Sequence, residues 1–275
     1  MTDRTALGDR MKRHEAAFRT VLPRRTYTVI RVDGRAFHSY LRGAAKPFDE
    51  DFMEDMNAVA ETLCSEITGT VFAYTQSDEI SVLVTDFANE QTEPWFGGVV
   101  AKQLSISAAL ATAVLSERRP GRALFDARVF TLSDPVEVAN YFLWRQCDAV
   151  RNSISMAAQA FFSPRRLHGV STAGMQDLLR SELGVNWADY PPGCKYGRVT
   201  VRRTGERLVE YVDKRTRETV RTTALRSWWE TFPPLPFTAE PGSWLAATIP
   251  PLPSLHAAGT ATPTNEHHRK ENADA

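Results

Sequence analysis

The chain has 275 residues with 33 basic and 33 acidic side chains, so any polyanion contact must come from local clusters and not from a uniformly basic surface. With 43% apolar and 24% charged residues it can build one globular domain of ordinary core size plus an appended subdomain, which excludes global disorder. Cys64, Cys147 and Cys194 are odd in number and far apart, which argues against a disulfide framework or zinc site and for a reducing, cytoplasmic setting. No stretch approaches the roughly 20 apolar residues of a membrane span, so a soluble protein without membrane partners is expected.

Residues 1–20 set Leu7, Met11 and Phe18 among charges, the pattern of a helix leading into Pro23. Tyr27 to Val32 is β-rich and stops at Asp33-Gly34, which puts Asp33 at the carboxyl end of a strand. Past Lys46-Pro47, Phe52, Met56, Val59, Leu63 and Ile67 recur at helical spacing. Asp49, Glu50 and Asp51 sit where the helix dipole favours negative charge, so 50–66 is predicted as a core-facing helix. After Gly69 the runs Val71–Tyr74 and Ile80–Val84 flank a polar segment, predicting a hairpin with Asp78 at its tip. A second helix from about Trp95 to Ser116 turns Val99, Leu104, Ala108, Ala111 and Leu115 inward, and Pro120-Gly121 then turns the chain.

Leu124 to Leu132 predicts another strand, and Asp134-Pro135 starts a long helix to Pro164 that carries Val138, Phe142, Trp144 and Ile154, with Phe142 and Trp144 expected in the core. Ser171 caps a short helix ending near Leu183-Gly184. Val199–Val201, Leu208–Val212 and Thr219–Thr223 predict a small antiparallel meander, rich in arginine. Pro-rich runs at 233–236 and 250–253 lead into a polar end, expected to be disordered from about Leu255. This order predicts an α+β fold, a mixed or antiparallel sheet covered by helices on one face.

Two carboxylates at separate turns, Asp33 after one strand and Asp78 at a hairpin tip, form a hard-oxygen pair suited to Mg²⁺ if the strands are neighbours, with the Gly34 carbonyl as a further oxygen. Such a pair can hold two ions about 3.5–4 Å apart, the arrangement phosphoryl transfer favours. From spacing alone, Asp33-Gly34 is equally a tight turn, and Asp78-Glu79 a solvated hairpin tip.

The run Asp33-Gly34-Arg35-Ala36-Phe37-His38, then Lys46-Pro47, then Gln76-Ser77-Asp78-Glu79-Ile80-Ser81, resembles the metal and nucleotide motifs of the tRNA-His guanylyltransferase family. Lys102, Phe125-Asp126-Ala127-Arg128 and Tyr141-Phe142-Leu143-Trp144-Arg145-Gln146-Cys147-Asp148, followed by Asn152, extend the likeness, which covers roughly residues 10–200. The resemblance implies a palm-like catalytic domain over 1–197, followed by the Arg-rich meander over 198–232 and the tail over 233–275. It implies two Mg²⁺ held by Asp33, Gly34 and Asp78, with Glu79 also in the catalytic set. Asp33, Gly34, Arg35, Ala36, Phe37, His38, Lys46, Ser77, Asp78 and Lys102 would bind the nucleotide, and Arg128, Arg145, Asp148, Arg151 and Asn152 the tRNA. The reaction implied is ATP-dependent adenylylation of a tRNA 5′-phosphate, then displacement of AMP by the 3′-hydroxyl of GTP or another nucleotide, by a homo-oligomer, commonly a tetramer.

Eukaryotic members carry His-Ile-Asn-Asn-Leu-Tyr-Asn where this chain has Val150 to Met156, and the segment between Met175 and Asn186 is shorter here. These departures resemble the guanylyltransferase-like branch that repairs truncated tRNA 5′ ends on a template. Guanylylation of intact tRNA-His is the alternative. A palm-type cyclase or signalling-nucleotide synthase, or a non-catalytic RNA-binding scaffold, is also compatible with the acidic pair alone.

Overall fold

A computed structural model of the protein describes residues 5–234, 236–237 and 243–253. In chain order the elements are α1 (Ala6–Ala16), β1 (Tyr27–Gly34), α2 (Phe37–Tyr40), α3 (Glu50–Glu66), β2 (Thr70–Gln76), β3 (Glu79–Thr85), α4 (Val100–Arg118), β4 (Phe125–Leu132), α5 (Pro135–Gln159), α6 (Pro164–Leu167), α7 (Thr172–Leu183), α8 (Pro192–Tyr196), β5 (Arg198–Val212), β6 (Thr219–Phe232) and α9 (Ser243–Thr248). The strands make one six-stranded sheet in the order β4-β1-β3-β2-β5-β6, antiparallel at every pairing. The expected α+β architecture is therefore present, with the strand pairs all of one kind.

Helices cover both faces of the sheet, not one as the sequence predicted. Because side chains alternate along a strand, Ile30 and Val32 of β1 with Ile80, Val82 and Val84 of β3 pack under α3, through Met56, Val59 and Leu63, and under α4, through Ala111 and Leu115. Tyr27, Val29, Phe72, Tyr74 and Leu83 point the other way, onto Val138, Phe142 and Ala149 of α5. The central strands are covered twice, which is why their sequences are nearly continuous apolar runs instead of alternating ones.

Local signals fix the helix ends. The Asp49 carboxylate accepts from the Phe52 amide at 2.7 Å to cap α3, Asp134 accepts from Val136 N at 2.7 Å ahead of Pro135, and Gly184 ends α7 in the left-handed conformation at φ 66°. On α5 the buried positions include Arg145, Gln146 and Ser153 beside Val138, Phe142, Ala149, Ile154, Ala157 and Ala158, so the inward face carries polar groups and Trp144 is rotated outward, 51% exposed. The core position expected for Trp144 is thus overturned, whereas Phe142 is fully buried.

The first two runs of the predicted meander join into the single 15-residue strand β5, so with β6 they form a hairpin of two long strands. Its base belongs to the main sheet through Phe72↔Val201 and Thr75↔Arg198, and its outer part carries exposed side chains on both faces. The expected disorder from about Leu255 falls outside the described residues. Among the described residues no helix is long and apolar enough to cross a membrane.

Candidate active site

Asp33 is the penultimate residue of β1, and Asp78 lies in the two-residue turn between β2 and β3. The sheet brings them together: Asp33 is opposite Glu79 in the β1–β3 register, and the Gly34 amide donates to the Asp78 carbonyl at 3.1 Å. Both turns need unusual backbone. Ala36 and Ser77 sit at φ 58° and 47°, in the left-handed region that non-glycine residues enter at a cost. A Cβ on Gly34 would lie 2.4 Å from the ring of Phe37, which is itself buried against Tyr40, Phe52 and Phe125. The turn after Asp33 is therefore pinned to the core by the aromatic residue three places on.

Burial pushes the Asp78 carboxyl up to about 6, with the neighbouring charges of Asp33 and Glu79 adding to the shift. Burial also raises Glu79, against the opposing pull of two arginines. The Arg145 guanidinium donates to both Glu79 oxygens, at 2.8 and 2.7 Å, and to Asp148 at 3.0 Å, while Arg31 lies 3.8 Å from Glu79. Glu79 is thus occupied by arginine, next to the turn that carries Asp78. Asp148, which burial alone would raise, is held below the usual carboxylate range by Arg151, at 2.6 Å, and Arg145.

Among the described residues no three His, Cys, Asp or Glu side chains converge as a metal cage. The donors are two carboxylates and the Gly34 carbonyl, hard oxygens of the kind Mg²⁺ takes when phosphates and water complete its shell. Two acidic groups side by side, one at a strand end and one in the neighbouring turn, the latter raised by burial and by its acidic neighbours, leave negative charge that a divalent cation would neutralise, so the residues fit the ion.

Beside the hairpin tip opens a cavity of about 310 Å³ lined by His38, Lys46, Ser77 and Asn152 together with Asp49, Phe52, Met53, Met156, Cys194 and Arg198. Four residues expected to touch nucleotide or tRNA therefore meet at one hollow. Arg35 and Ala36 form the exposed turn above it, and Phe37 sits in the core beneath. Arg128 is exposed on β4 and faces α5, opposite Arg31 in the register. Arg145 is 4% exposed and Arg151 is open to solvent. Lys102 is not brought to this place. It stands over the Phe96 ring at 5.8 Å near the start of α4, whereas Thr112, ten residues on or ~15 Å along the helix, is the residue that meets Phe125 beside Gly34.

The sequence did not single out Arg31 or Arg198. Arg31 carried a signal, since a lone arginine inside an apolar strand two residues before Asp33 must share its face. Arg198 looked like one more hairpin cation, yet it is 5% exposed with Nε donating to Asn57 Oδ1 at 2.5 Å, and burial brings its pKa down to about 10.

A carboxylate at a strand end and another in the neighbouring hairpin turn, beside a hollow, fit phosphoryl transfer, the chemistry of a nucleotidyltransferase. A family model described as tRNAHis guanylyltransferase matches residues 8–133. A bacterial tRNA(His) guanylyltransferase (Thg1)-like protein solved in complex with ATP is 36% identical, with a TM-score of 0.76, over 88% of this chain and 99% of that one. A bacterial Thg1-like protein in complex with GTP is 37% identical, with a TM-score of 0.72, over 88% and 98%. The probable tRNA(His) guanylyltransferase of Mus musculus is 30% identical over 198 residues, 66% of each chain. The chain belongs to the tRNA-His guanylyltransferase family.

Proposed function

We propose that this enzyme adds nucleotides in the 3′-to-5′ direction to the 5′ end of tRNA, with two Mg²⁺, and that it repairs 5′-truncated tRNA on a template. The observation that carries the reading is the juxtaposition of Asp33, at the end of β1, with Asp78, in the neighbouring hairpin turn, beside the cavity of His38, Lys46, Ser77 and Asn152. The ATP and GTP complexes of the bacterial relatives support a nucleotide as substrate.

In the first step an oxygen of the tRNA 5′-phosphate attacks the α-phosphorus of ATP. The new P–O–P bond forms as the α–β bond breaks, and pyrophosphate leaves. In the second, the 3′-hydroxyl of the incoming nucleotide attacks the activated 5′-phosphorus, AMP leaves and the hydroxyl proton passes to solvent. The triphosphate of the new 5′ end is then trimmed. Asp33, Asp78 and the Gly34 carbonyl would hold the metal ions, which lower the pKa of the attacking oxygen and neutralise the leaving phosphate. The cavity takes the nucleotide base, with Ser77 and the amides of the 33–38 turn toward the phosphates. Glu79 and Arg145 fix the turn that carries Asp78.

The same proposal assigns residues 1–197 to catalysis and treats 198–232 as an arm sharing its sheet, in a cytoplasmic homo-oligomer, a tetramer. The test is incubation with Mg²⁺, ATP, labelled GTP and CTP, and 5′-monophosphorylated tRNA, complete or lacking its first nucleotide. Template-matched extension of the shortened tRNA is expected. Labelling of intact tRNA-His alone would replace repair by guanylylation, and product formed from nucleotides without RNA would replace both by cyclase-type chemistry.

A further inference from the structure

The indole of Trp144 stands half in water on α5, one residue from the buried Arg145. An aromatic side chain left in this way forgoes much of the ~1.5–3 kcal/mol that full burial of a large apolar side chain returns. It is nevertheless held in place. The Arg145 guanidinium lies over one face of the ring at 4.4 Å, and Tyr141 meets it edge-on at 5.9 Å with its own hydroxyl 2.9 Å from Ser81 Oγ. Arg145 is in turn locked by Glu79 and Asp148. The result is a flat, positively backed π surface joined through one side chain to the residue after Asp78.

We propose that the open side of Trp144 is a stacking platform for the nucleobase attached to the reacting 5′-phosphate of the RNA, an inference that rests on the reading of this site as acting on an RNA 5′ end. Every base presents a π face, so a single aromatic platform holds the terminal nucleotide whatever its identity, as an enzyme adding successive nucleotides requires. The surroundings favour nucleic acid over protein. One and two turns along the same side of the helix stand Asp148 and the exposed Arg151, and Arg128 is exposed on the facing strand, so the open face of the indole lies among charges and not at the centre of an apolar patch.

The test measures binding of a 5′-phosphorylated RNA duplex end by the full chain, with the 5′-terminal nucleotide either intact or abasic. For Trp144→Leu, which keeps an apolar side chain but loses the π face, affinity for the intact end is expected to fall about 5- to 150-fold. The abasic RNA should bind Trp144→Leu and wild type alike, and Trp144→Phe should recover most of the loss. Equal weakening toward both RNAs, or no weakening toward the intact one, overturns the platform. Wild type that senses the terminal base yet transfers no nucleotide would overturn the proposed activity and leave the platform standing. Transfer by wild type whose binding ignores the terminal base would do the reverse.

Discussion

The centre of the sheet and its outer hairpin handle charge in opposite ways. Where β1 and β3 carry Asp33 and Glu79, the ion pairs are buried, with Arg145 and Glu79 side chains 5% and 11% exposed. Along the outer β5–β6 hairpin they are open to water, as for Arg221 and Glu210, 71% and 52% exposed. A buried pair costs desolvation when it forms and far more when one partner is lost, so it enforces geometry. An exposed pair contributes little and leaves its cations available to a polyanion. One continuous sheet thus joins a rigid centre suited to chemistry with an adaptable outer hairpin suited to contact.

The largest losses are expected at the carboxylates. Asp33→Ala or Asp78→Ala should abolish transfer in the assay above while thermal unfolding remains cooperative; a folded, fully active variant would sink the metal assignment. Next in size, Arg145→Ala should cost about 1.5–3 kcal/mol of unfolding free energy by chemical denaturation, because the buried Glu79 loses both charge-assisted hydrogen bonds and keeps only Arg31 at 3.8 Å.

A third change has the opposite sign. Asp78→Asn removes a carboxylate that burial and two acidic neighbours disfavour, so the metal-free variant should melt a few degrees above wild type while losing activity. Calorimetry in the presence of a chelator checks it, and an unchanged or lowered Tm would contradict the repulsion described at the turn.

Asp49 gives the pH dependence. Burial works to raise it, but bonds from the Phe52 and Ala45 amides and from Arg119 outweigh that and lower its pKa in the folded state. The stability it contributes is complete above the ordinary aspartate value and is lost as pH falls through the lowered one. Asp49→Asn should therefore flatten the acid limb of the stability curve between pH 5 and 2, read by denaturant melts at each pH. The smallest effect belongs to the arm, where Glu210→Ala should change stability by less than about 0.5 kcal/mol.

How much of this was legible depended on whether the signal was local. The helix predicted at 50–66 occupies Glu50–Glu66, and the hairpin tip falls at Asp78, because caps, glycines and turn residues act within a few positions. The partnership of Glu79 with Arg145 spans 66 residues and leaves no trace in either neighbourhood. Trp144 was misplaced because the buried side of α5 carries Arg145, Gln146 and Ser153, so hydropathy pointed to the wrong face. The first two meander runs merged because Arg202 to Arg207 lie in a strand open on both sides, where no alternation is required. The cavity was invisible as a shape, since its walls come from α2, α3, α5 and α8 and from the loops between them, although several of its residues were marked by their chemistry.

The ring of Phe37 occupies the space that a side chain at Gly34 would need. The glycine next to the first carboxylate is therefore demanded by the hydrophobic interior before any substrate arrives. A screen of every amino acid at position 34, scored only for the yield of folded protein, should already reject nearly all of them, and relief should come from second-site changes that shrink residue 37. What looks like a signature of chemistry at this position would, in such a screen, act as an architectural keystone.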